Sequence, residues 1–133
     1  MKFSNKLTIL GFHSANLILI IFYLYPGSIL GCFFYNDCHV QLKITSDIMI
    51  TSNFFLTSNH FYAFIILSAL GFFAYRSKKT IRFLIIYLFS LASILELLHI
   101  IIPIRAFEFK DLFGNILGII LVIIIYKIKN KYV

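Results

Sequence analysis

The sequence predicts an all-α membrane protein with four transmembrane helices and a long extracytoplasmic loop between the first two. Three observations carry that prediction. Of the 133 residues, 61% are hydrophobic and 13% charged, with a mean hydropathy of +0.96, more apolar than an ordinary soluble domain. The apolar residues gather into four runs separated by polar stretches. The basic residues flank those runs, so the net charge of +7 reads as an orientation signal and not as a nucleic-acid footprint. The chain is read as one domain, 1–133, whose first partner is the lipid bilayer and for which no nucleic acid is expected.

The first helix is expected over 7–25, closed by Pro26-Gly27. At helical rise it covers roughly 28 Å, close to the hydrocarbon thickness. Lys2 and Lys6 precede it as in a secretory leader, but the apolar run exceeds the ~7–15 residues of a leader core and no small-x-small site follows, so it is read as a mature helix. His13 and Asn16 share one face of it and suit hydrogen bonds to another helix.

Residues 28–58 form a mixed connection, expected to fold back over the membrane face as a partial cap. Within it His39–Thr45 alternates polar and apolar, as a short strand or an amphipathic segment would. Cys32 and Cys38 pair if this loop meets an oxidising compartment, or stay free. A metal site from Cys32, Cys38 and His39 lacks both the usual two-residue spacing and a fourth ligand.

The second helix is placed at 54–75. The caps Thr57, Ser58 and Asn59 would also start it later, but at the expense of span length. Arg76–Arg82 makes a basic turn, the third helix runs 83–102 to Pro103, and the fourth runs 111–127 into a lysine tail. With no Trp in the chain, Tyr23, Tyr25, Tyr75, Tyr126 and Tyr132 are read as interfacial anchors near the run ends.

Charge counting orients the bundle. Four crossings put Lys2, Lys6, the Arg76–Arg82 turn and the tail on one side, which then holds nine of the twelve Lys and Arg. The positive-inside rule makes both termini cytoplasmic and turns the 28–58 and 103–110 connections outward.

Against this apolar background the ionisable residues stand out, because each costs about 2.5–3.5 kcal/mol at the centre of a span. Glu96 and His99 lie at i, i+3 with Ser93 one turn deeper, Asp111 and Asn115 lie at i, i+4, Arg105 sits in the loop between, and His60 enters at the outer end of the second helix. All are expected to converge in the outer leaflet. Three readings compete: a structural ion pair of Arg105 with Glu96 or Asp111, a polar pocket for the head group of a lipid-linked or amphiphilic ligand held by Arg105, or an enzyme with His99 or His60 as base and Glu96 as acid or metal ligand. The balance leans away from an enzyme, since no hydrolase elbow, phosphate loop or zinc-protease motif is present. Two His and two carboxylates suit a divalent ion, yet no recognised ligand motif frames them, so neither metal nor cofactor is expected. Gly114-x-x-x-Gly118 permits close helix approach, within the chain or in a homo-oligomer, with Gly71 as a counterpart.

The same residues carry a resemblance. Ser93, Glu96, Pro103, Arg105, Asp111, Asn115 and Gly118 follow the pattern of the VanZ-like family: a helix with Ser and Glu, then Pro-x-Arg, then an Asp ahead of Asn-x-x-Gly. Tyr25-Pro26-Gly27 and Asn59-His60-Phe61-Tyr62 match more loosely, and His99 stands where the family usually has Gln. The resemblance implies a small bacterial cytoplasmic-membrane protein. It further implies an accessory or binding role toward cell-envelope precursors or glycopeptide (teicoplanin) resistance, with a membrane enzyme acting on a lipid-linked substrate, or a structural partner of another membrane protein, as alternatives.

Overall fold

The computed structural model describes residues 2–40, 48–51, 54–56 and 58–131. Five helices make up most of it: α1 (Lys2–Leu24), α2 (Ile29–Tyr35), α3 (Ser58–Ala74), α4 (Lys78–Leu98) and α5 (Phe109–Lys131). Two short strands, β1 (Ile48–Thr51) and β2 (Phe54–Leu56), pair antiparallel, with Ile48 opposite Leu56 and an irregularity between Met49 and Thr51. Stretches of α1, α4 and α5 (Lys6–Leu24, Lys78–Leu98 and Phe109–Asn130) are long and apolar enough to cross a membrane, whereas the apolar part of α3 is shorter. The segment expected over 39–45 lies outside the described residues apart from His39 and Val40.

Four helix boundaries differ from their expected positions in ways the local structure explains. Residues 54–56 are taken by β2, so α3 begins at Ser58 and not at 54. The α4 helix starts at Lys78, five residues before the expected 83, because the Ser77 hydroxyl accepts from the Thr80 amide at 3.1 Å and caps it. It also ends early. His99, Ile100 and Ile101 donate to Glu96, Leu97 and Leu98, the i→i−3 tightening that closes a helix ahead of a proline. The α5 helix opens at Phe109, which places Asp111 in its first turn, where the helix dipole favours a carboxylate. The connection between α1 and α3 is more ordered than a simple cap: the Ser28 side chain caps α2, left-handed Asn36 ends it, and a disulfide joins Cys32 to Cys38. With both sulfurs in that bond, the thiolate metal site with His39 is ruled out.

The short helix α3 is the centre of the bundle, packing most extensively on α5 and then on α1. Phe64 and Leu67 of α3, Leu88, Ala92 and Leu95 of α4 and Ile119 of α5 form the sealed core. Gly118 makes the α3–α5 contact possible, since a Cβ there would stand 2.6 Å from the Phe61 carbonyl oxygen. It is therefore used within the chain. Gly71 is not its counterpart: it faces Leu84 of α4 and Phe12 of α1. Around this core the outer faces stay greasy, with Leu10, Leu17, Ile86, Ile94, Ile125 and Ile128 each more than half exposed. Such a surface suits lipid and would be an aggregation liability in water. His13 and Asn16 find partners outside α1, Tyr75 Oη just past the end of α3 at 2.9 Å and Tyr87 Oη of α4 at 2.6 Å.

Candidate functional site

One end of the bundle gathers the carboxyl ends of α1 and α4 and the amino ends of α3 and α5. Tyr23, placed among the interfacial anchors by sequence, lies at the centre of this end and is buried. Its hydroxyl donates to Asn115 Oδ1 at 2.6 Å and lies 2.8 Å from His60 Nδ1. With that proton committed to Asn115, the hydroxyl oxygen accepts from His60 Nδ1. The other ring nitrogen, Nε2, then faces Asp111 Oδ2 at 3.4 Å. Tyr23 also lies nearly parallel to the His99 ring, with centroids 5.7 Å apart. Nothing in the local sequence separates Tyr23 from Tyr25 two residues on; only the helix face does.

Glu96 is fully buried. Its Oε1 accepts the Glu108 amide at 3.0 Å and lies 3.3 Å from His99 Nδ1, while His99 Nε2 reaches the Tyr23 carbonyl oxygen at 3.0 Å. Two ring nitrogens facing two oxygens require two donors, so a proton also sits between His99 and Glu96. The second oxygen, Oε2, is buried with no hydrogen-bond partner among the described residues, as is Nδ2 of Asn115. One ligand-type atom each from His60, Glu96 and Asp111 falls within 4.8 Å of the others.

Two expected members have different roles. The Ser93 hydroxyl donates to the Phe89 carbonyl at 3.0 Å, one turn back on its own helix, and serves α4 rather than the cluster. Arg105 is directed to backbone carbonyls and not to a carboxylate in the bonds described. Its Nε donates to the Tyr25 carbonyl at 3.3 Å and its Nη2 to those of Phe22 and Gly27 at 3.2 and 2.6 Å. A helix ends in carbonyls without intrahelical donors and in a partial negative charge, so the guanidinium caps α1 and fastens it to the α4–α5 loop. Burial lowers the Arg105 pKa from its ordinary value, and the charges on Asp111 and Glu96 oppose the shift; a guanidinium remains cationic throughout. These bonds use three of the five guanidinium N–H donors that the head-group reading assigned to phosphate.

The structure thus brings together His60, Glu96, His99, Asp111 and Asn115 and adds Tyr23. Fold and site define a class: a helical bundle with a lipid-type surface and a buried carboxylate–imidazole cluster at one end. No family model, curated protein or solved structure matches the chain, so any more particular identity rests on the residues themselves.

Proposed function

We propose that the chain is a VanZ-like protein of the bacterial cytoplasmic membrane that crosses it four times, with both termini inside. In this reading it acts as a binding or accessory factor at the outer face toward lipid-linked envelope precursors or glycopeptides. The observation that carries the proposal is the meeting of polar side chains from α1, α3, α4 and α5 at one end of an apolar bundle, where an ionisable group in a span ordinarily marks a functional site. The α3 helix, at roughly 25 Å, is short for a crossing. Its position inside the bundle and local thinning of the bilayer accommodate the mismatch.

Two further features support the orientation. The Cys32–Cys38 disulfide belongs to the same end as the cluster, and disulfides persist in oxidising compartments outside the cytoplasm. The basic α3–α4 turn and carboxyl tail fall at the opposite end, as inward-facing segments do. His60 and Asp111, whose side chains keep 15% and 13% exposure, form the rim through which a ligand reaches the cluster.

One strain series tests both parts. The full chain carries a carboxyl-terminal green fluorescent protein, which matures only inside the cell, and is compared with its Asp111→Asn variant. The expected result is fluorescence from both, with the wild type alone raising the inhibitory concentration of teicoplanin. A dark fusion would refute the orientation, and equal susceptibility of wild type, variant and empty strain would refute the function.

A further inference from the structure

We infer that His60, Glu96 and Asp111 form a binding site for a divalent transition-metal ion of the zinc class, with Tyr23, Asn115 and His99 as its outer support. The inference rests on reading this cluster as a ligand site, and it adds what that ligand is.

The hydrogen-bond chain brings the right atoms to face one another. With the Asn115 amide accepting from Tyr23, and Tyr23 accepting from His60 Nδ1, the ring is held with its Nε2 turned to an Asp111 oxygen 3.4 Å away. Either a proton or a metal ion can bridge that pair. A proton there leaves Glu96 Oε2 buried with no hydrogen-bond partner among the described residues. A divalent ion takes one atom each from His60, Glu96 and Asp111 at once.

The distances and the surroundings agree with a metal. Ligands held at about 2.0–2.2 Å by tetrahedral zinc stand roughly 3.3–3.6 Å apart, which the His60–Asp111 pair matches, and the set as a whole lies within 4.8 Å. One imidazole with two carboxylates is an N,O donor set suited to zinc and its neighbours. The ring nitrogen of His60 away from the ion is fixed by a hydroxyl. The oxygen of Glu96 away from the ion is held by His99 and the Glu108 amide. Such outer bonds set the tautomer and orientation of metal ligands. Three protein ligands leave a fourth position open on the side of the exposed rim.

The test uses the full-length protein, purified in detergent and stripped with a chelator, titrated with Co²⁺ and then Zn²⁺. Wild type is expected to take up one equivalent of Co²⁺, giving the intense visible bands of a four- or five-coordinate ion, which Zn²⁺ then abolishes. His60→Ala and Asp111→Asn are expected to weaken binding at least about 100-fold. His13→Ala, ten residues from Tyr23 along α1, leaves it unchanged. A weak, six-coordinate Co²⁺ spectrum without a stoichiometric endpoint in the wild type overturns the site, as does unchanged affinity in both ligand variants. The wild-type spectrum decides the matter even where a variant fails to fold. Loss of the teicoplanin phenotype in Asp111→Asn without any metal signal would sink this inference and leave the accessory role standing; the reverse pattern would do the opposite.

Discussion

Glu96→Leu is expected to destabilise the bundle by about 3–5 kcal/mol, the usual effect of removing one member of a buried charge pair. The substitution strips the acceptor from His99 Nδ1 and from the Glu108 amide at once, leaving a buried imidazole with a donor and nothing to receive it. The measurement is the midpoint of denaturant-induced unfolding in mixed micelles. Two companions give the mechanism away. Glu96→Gln keeps an oxygen for those two donors and is expected to lose less than half as much. Adding His99→Leu to Glu96→Leu removes the stranded partner and is expected to recover part of the loss, because an apolar pair can replace an ion pair of similar volume. A Glu96→Leu protein as stable as the wild type would mean the cluster contributes nothing to folding.

Gly118→Leu is the second large effect. A Cβ at this position meets the Phe61 carbonyl oxygen at 2.6 Å and the Ile65 amide nitrogen at 3.2 Å, both backbone atoms of α3 that cannot swing aside. Overpacking of this kind typically costs about 1–3 kcal/mol, and here the strain falls on the most extensive helix contact in the bundle. Even Gly118→Ala is expected to lower stability. Gly118→Leu pushes α5 from α3, which separates Asp111 from His60, so the variant is expected to lose its function along with its stability. Normal stability in Gly118→Leu would show that α3 and α5 do not pack as described.

Much of this arrangement is legible in the residues alone, and the exceptions have physical causes. Apolar run lengths and flanking basic residues mark three long helices, and the buried Glu96 and His99 announce themselves as ionisable groups where none is easily solvated. The start of α3 is not legible, because Phe54-Phe55-Leu56 is as apolar in a strand as in a helix and only pairing with residues 48–51 decides it. Arg105 misleads for another reason. Two carboxylates close in sequence make an ion pair look natural, whereas its hydrogen-bond partners are the carbonyls ending α1, some eighty positions away and visible only once α1 lies against the α4–α5 loop. Tyr23 is missed because a tyrosine at the end of a span has an ordinary interfacial explanation. Ser93 is overvalued because its spacing from Glu96 says nothing about a hydroxyl that satisfies itself on its own helix.

The account stands on separate helices delivering His60 and Asp111 to the same point, and cross-linking reads that directly. His60→Cys with Asp111→Cys, treated in native membranes with a short bifunctional thiol reagent, is expected to give an intramolecular bridge between α3 and α5, identified by mass spectrometry of the cleaved chain. His60→Cys with Ile125→Cys, about four turns further along α5, is expected to give none. No bridge in the first pair, or equal bridging in both, would contradict the convergence from which the site, its metal and its function are argued.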